Sequence, residues 1–217
     1  MAGGRHLVLI MALAASTALA GCQQTGASLD SSLSTGSTAP VSAEETVDLA
    51  QKWEADPGNI NKGLAYANAL ESSGRSDQQF KVYAKLVAAN PGNAKLQGLY
   101  GKKLLTAGRA AEAVAPLEAA AAASDADWRI HSALGTAYDQ QGRYDQARSR
   151  YQMVLAKDPQ NLTVLNNLGM SYALEGNLKL AETTLRTADA VPKSNREPRI
   201  RQNLALVVGL QGHLASF

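Results

Sequence analysis

One thiol and three imidazoles carry the nucleophilic, acid–base and soft-metal chemistry that this 217-residue chain has near neutral pH: Cys22, and His6, His131 and His213. A single cysteine excludes a disulfide framework within one molecule and any multi-cysteine metal site. The imidazoles lie far apart in the sequence, with no third ligand and no paired carboxylate at a metal-binding spacing. The recurrent glycines are separated by whole helical units and follow no strand, so they do not form a phosphate-cradling loop. The Asn161-Leu162-Thr163 triplet reads as the start of a helix rather than as a glycosylation acceptor. These residues point away from catalysis, and no enzyme activity, cofactor or metal is expected.

The chemistry of Cys22 is set by what precedes it. An apolar run from Leu7 to Ala20, broken by Ser16 and Thr17, follows Arg5 and His6. At about 1.5 Å per residue it spans about 21 Å, short of the roughly 30 Å hydrocarbon core that a permanent helix crosses. That length fits a secretory signal. Leu19-Ala20-Gly21-Cys22 resembles the lipobox of bacterial lipoproteins. The resemblance implies a signal peptide over 1–21, acylation of the Cys22 thiol, cleavage before it and acylation of the new amino terminus. Several acyl chains, each gaining about 0.8 kcal/mol per buried methylene, anchor stably where one short chain does not. An ordinary signal peptide with a chance cysteine is the alternative. Gln23, rather than aspartate, after the cysteine implies transfer to the periplasmic side of the outer membrane instead of inner-membrane retention.

Loss of Arg5 leaves 20 Lys and Arg against 19 Asp and Glu, so the mature chain has no electrostatic footprint for nucleic acid. Residues 23–40 hold five Ser, three Thr and two Gly with one charge, Asp30, and no aromatic residue to seed a core. Residues 22–40 therefore read as a lipidated cysteine and flexible tether, with a reach of about 23 Å.

From Val41 onward the chain is organised by a period of 34. Gly74, Gly108, Gly142 and Gly176 keep it, and Pro57, Pro91, Asp125 and Pro159 keep it in phase. This is the period of the tetratricopeptide repeat (TPR), a pair of antiparallel helices, A and B, that stacks on its neighbours. The expected fold is all-α, a right-handed α-solenoid over 41–217: an N-terminal helix, four repeats near 60–193 and a partial fifth at 198–217. The first pair is placed at Asn61 to Ser73 and Asp77 to Ala89. Gly135 and Gly169 on helix A, with Ala147 and Ala181 on helix B, thin the chain where the two helices must meet, while Tyr138, Tyr151, Leu168 and Leu185 fill wider gaps. Gln79 stands where later repeats have alanine. Pro116 falls inside a B helix and is expected to bend it. Ser42 with Glu45 forms a candidate capping box, and Trp53 is positioned to cover the first repeat. His131 reads as interlayer packing. In the fifth helix A, Leu204, Ala205 and Val208 take the core slots.

The A helices supply the concave face, to which the register assigns Asn68, Lys102, Arg129, Thr136, Asp139, Asn166, Met170, Leu174, Gln202, Leu206 and Leu210. It grades from polar to apolar toward the C-terminal end and suits a helix or an extended peptide with an apolar anchor. Cover by further C-terminal helices is the other reading of its apolar end.

Residues 166–176, NNLGMSYALEG, and 199–212, RIRQNLALVVGLQG, resemble the TadD family of tight-adherence (Flp) pilus assembly lipoproteins. The lipobox, tether and repeats extend that resemblance along nearly the whole chain. It implies a lipid-anchored, non-enzymatic assembly factor that binds protein partners at the outer membrane, a secretin or another Tad/Flp component among them. A periplasmic TPR scaffold for outer-membrane protein insertion or for peptidoglycan is the alternative.

The lipobox reading has a direct consequence. Cys22→Ser removes the thiolate that acylation requires, so metabolic labelling with a fatty acid is expected to mark the wild type and leave the mutant unlabelled. Equal labelling of both contradicts the reading.

Overall fold

The computed structural model describes residues 41–123, 126–192 and 197–214, with side chains through 212; the signal, lipobox and tether lie outside them. Among the described residues there are ten helices and no strand. They are α1 (Ala43–Glu54), α2 (Ile60–Ser72), α3 (Ser76–Ala89), α4 (Ala94–Thr106), α5 (Ala110–Ala121), α6 (Trp128–Asp139), α7 (Tyr144–Leu155), α8 (Leu162–Glu175), α9 (Leu178–Asp189) and α10 (Pro198–Leu214). Helices α2 to α9 form four A/B pairs, and the expected all-α TPR solenoid is borne out.

Local chemistry starts and stops the A helices at the repeat period. Asn59, Asn93, Asp127 and Asn161 cap α2, α4, α6 and α8, each side chain accepting a first-turn backbone N–H. This third in-phase series explains Asn161 as a cap. Ser42 does the same for α1, accepting from the Glu45 N–H at 3.0 Å. At the other end Gly74, Gly108, Gly142 and Gly176 sit at φ of +70°, +74°, +71° and +93°, the left-handed region. The residue after each glycine donates back into the helix, as in Arg75 N–H to Leu70 O at 2.8 Å and Asn177 N–H to Tyr172 O at 2.8 Å. The paired bonds satisfy the last carbonyls and turn the chain into helix B.

Packing then depends on how closely A approaches B. A Cβ added at Gly101 would lie 2.5 Å from Leu117 Cγ, at Gly135 2.5 Å from Tyr151 Cε1, and at Gly169 2.7 Å from Leu185 Cγ. In the first repeat Ala67 takes the equivalent slot, and Gly63 presses on Leu86 instead. The core runs through the layers: one cluster joins Trp53, Leu70, Tyr83, Leu86 and Leu96, another Leu104, Leu117, Leu134, Tyr138, Tyr151 and Val164. Trp53 covers the first repeat as expected, its ring 5.7 Å from Tyr66 and its Nε1 donating to Pro57 O. Through Pro116, α5 remains one helix.

The burial expected in α10 is corrected at two of its three core slots. Ile200 and Val207 are the residues buried against the fourth repeat, while Ala205 and Val208 are exposed and Leu204 is half-buried. The slots that meet a B helix in earlier repeats face outward in α10, and the buried stripe is the one that meets the preceding layer.

Two glycine substitutions separate packing from helix propensity. Alanine is favoured over glycine inside a helix by about 1 kcal/mol, and Gly209 in α10 has nothing within 4 Å of an added Cβ. Gly209→Ala is therefore expected to stabilise slightly. Gly135→Ala meets Tyr151, which is tied by its hydroxyl, and is expected to destabilise by about 1–3 kcal/mol. Urea denaturation of both checks this, and two stabilised variants would contradict the packing account.

Candidate protein-interaction surface

Each A helix from α4 onward touches the next, α4 to α6, α6 to α8 and α8 to α10, whereas successive B helices make no comparable contact among the described residues. The A helices therefore line the inner side of the stack. Of the residues assigned to this face, Asn68, Lys102, Arg129, Leu174, Gln202, Leu206 and Leu210 are exposed, and Thr136, Asn166 and Met170 are half-buried. Leu174, Leu206 and Leu210 stand 57%, 50% and 42% exposed, far outside the range of core leucines such as Leu168 at 8%.

Asp139 is a correction. It is buried, and its carboxylate accepts from Tyr151 Oη at 2.8 Å and from Ser171 Oγ at 2.6 Å. It joins α6 to α7 and α8 and offers nothing to a partner. Burial pushes its pKa above the ordinary carboxylate value, although the two hydroxyls and the nearby Arg148 pull it down. Burial and the adjacent Asp139 also push the Tyr151 phenol up.

Other polar contacts join neighbouring repeats. Asn167 Nδ2 donates to Ser132 Oγ at 3.1 Å, and Asn203 Nδ2 donates to Asn166 Oδ1 at 2.8 Å. Arg148 on α7 pairs with Glu175 on α8 at 2.7 Å and lies over the Tyr172 ring. Lys103 pairs with Glu71 across the first two repeats at 2.6 Å. Sequence reasoning missed this ladder; its signal was the recurrence of short polar side chains on adjacent A helices at close to the repeat spacing. The ladder fixes neighbouring A helices to one another, so their exposed side chains project from a rigid surface.

Among the described residues no three His, Cys, Asp or Glu side chains gather into a metal-binding cluster, and no described helix is long and apolar enough to cross a membrane. The chemistry this face offers is contact: exposed amides and cations at one end and exposed leucines at the other.

The Asp139 arrangement makes a pH-dependent prediction. A carboxyl whose folded pKa is raised contributes stability that is fully present below the unfolded pKa and is lost as pH rises through the folded value. Asp139→Asn is expected to remove that downward slope and to retain an acceptor oxygen. Asp139→Ala leaves two hydroxyls without their acceptor and is expected to cost about 1–3 kcal/mol at neutral pH. Urea midpoints measured across the acid range check both, and an alanine variant as stable as wild type would contradict the buried-acceptor role.

Residues 132–195 match the sequence model of the tetratricopeptide repeat family. No curated protein matches the chain. Among solved structures, the fold is similar to MamA from Desulfovibrio magneticus RS-1, at 22% identity over 70% of this chain and 85% of that one, with a TM-score of 0.60. It is similar to PilW, a type IV pilus biogenesis factor, at 19% identity over 79% and 86% of the two chains, with a TM-score of 0.56. YrrB, a TPR protein with an unusual peptide-binding site, matches at 18% identity over 78% and 82%, with a TM-score of 0.61. At these identities the likeness is one of fold: the described residues form a tetratricopeptide-repeat solenoid, and residues 132–195 carry the family's sequence pattern.

Proposed function

We propose that this protein is a lipid-anchored TPR scaffold on the periplasmic side of the bacterial outer membrane, where it grips a partner in Flp/Tad pilus assembly, a secretin or another component of that machine. The observation that carries this reading is the run of exposed leucines at 174, 206 and 210 on the inner helices of a rigid stack. Exposed apolar groups that converge on one surface mark a contact site. The lipobox at Leu19 to Cys22 and the resemblance of residues 166–176 and 199–212 to pilus assembly lipoproteins support the setting, as does the shared fold with a pilus biogenesis factor. Lipid attachment raises the local concentration of the solenoid near a membrane-embedded partner, so modest affinity at the groove suffices. The mechanism is stoichiometric holding rather than turnover. The partner contributes an apolar helix or extended segment to the leucine end, while Asn68, Lys102 and Arg129 read polar groups at the other.

Leu174→Asp combined with Leu206→Asp tests the reading. Both side chains are more than half in solvent or nearly so, and the double variant is expected to melt within a few degrees of wild type. A buried contact with the partner would then desolvate two carboxylates, which is expected to weaken binding at least about 100-fold and to abolish pilus assembly. Circular dichroism beside co-purification from envelopes checks this; normal melting with normal partner recovery contradicts it.

A further inference from the structure

A cavity of about 240 Å³ lies where the start of α6 meets the end of α7. Trp128, His131, Met153 and Val154 line it, with Lys157 and Asp158 beside them. Val154 is buried and Met153 is 48% exposed.

The cavity belongs to the third repeat and is not a by-product of the fold. At the positions of Trp128, His131 and Met153 the second repeat has Ala94, Gln97 and Ala119, and the fourth has Leu162, Leu165 and Thr187. In the fourth repeat this place is packed: Leu165 is buried with Ala188 and Ile200, and Leu162 and Val191 close over them. In the third, three large side chains surround the space instead of filling it.

Its chemistry is apolar inside, and its edge sets the Lys157 cation beside the Asp158 carboxylate. His131 has a buried Nδ1 with no hydrogen-bond partner. Burial, with Arg150 and Lys157 nearby, holds its pKa below the ordinary value and so favours the uncharged ring in the cavity wall. Asp158 accepts from Asn161 Nδ2 at 3.1 Å. Lys157 is exposed and makes no ion pair among the described residues. Size limits the occupant. An apolar cavity of about 150 Å³ holds a benzene ring, and small-molecule pockets begin near about 300 Å³, so this space fits one large side chain.

We infer that the cavity is an anchor site for an extended segment of a partner protein, which inserts one aromatic or large aliphatic side chain between Trp128, His131 and Met153 and sets the carboxylate of an adjacent acidic residue against Lys157. The site stands apart from the leucine groove and does not depend on it.

The probe is the blocked peptide acetyl-Asp-Phe-Asp-amide, whose carboxylates are side chains alone. Titrated into the full chain and followed by NMR, it is expected to give saturable shifts at the Met153 methyl and the Trp128 indole, with the Trp53 indole unmoved. Acetyl-Asp-Ala-Asp-amide is expected to bind about tenfold more weakly or worse through loss of the anchor, and acetyl-Lys-Phe-Lys-amide about tenfold more weakly through charge. Lys157→Glu, an exposed position, is expected to reverse the preference between the two charged Phe peptides at an unchanged melting temperature. The Leu174→Asp and Leu206→Asp variant is expected to bind the peptide as wild type does, which separates this site from the groove. Absence of saturable shifts at Met153 and Trp128, or a Lys157→Glu variant with unaltered preference, overturns the inference.

Discussion

The close approach of helix A to helix B governs everything else in this fold. At Gly101, Gly135 and Gly169 the A-helix backbone lies against Leu117, Tyr151 and Leu185, with no room for even a methyl group. Interiors packed to crystal density leave no slack at such points. Because the same contact recurs with the repeat, each pair presents nearly the same outer face to the next. Each layer covers its neighbour's apolar side, and the core clusters run across repeats instead of closing within them.

That geometry decides which residues are free to bind. Tyr151, pinned against Gly135, reaches Asp139 with its hydroxyl, and Ser171 completes the carboxylate's environment from the next A helix. A residue whose position suggests a binding surface is thereby spent on holding three helices together. Farther along, Leu174 of α8 and Leu206 and Leu210 of α10 stay in solvent on the two helices that the Asn203 to Asn166 contact ties together. The rigid polar contacts and the exposed leucines are two products of one arrangement. A preorganised surface loses less conformational freedom when a partner docks.

The period of the glycines made the helix pairs legible, because only glycine readily takes the left-handed turn observed at 74, 108, 142 and 176. The expected first pair differs from α2 and α3 by a single residue at three of its four ends. The exposed leucines followed from register as well. Asp139 did not, since its burial depends on Tyr151 and on Ser171, 32 residues away, and no local pattern specifies that pairing. The burial pattern of α10 was legible only in part: Ile200 and Val207 fall, with the two-residue lengthening, on the slots of buried Val164 and Ser171, whereas Ala205 and Val208, on slots that face a B helix in earlier repeats, are exposed. His131 was legible as a packing residue; the cavity beside it depends on side-chain volumes contributed by two helices.

The central claim is that the leucine-bearing inner side of α8 and α10 grips the pilus component and that the outer side of α9 does not. Photocrosslinking in native envelopes tests it most directly, with the reactive side chain placed at Leu206 on the inner face or at Thr187, exposed on helix α9. The account predicts that Leu206 captures an outer-membrane component of the pilus machine and that Thr187 does not. Capture of the same proteins from both positions, or of that component from Thr187 alone, would contradict it.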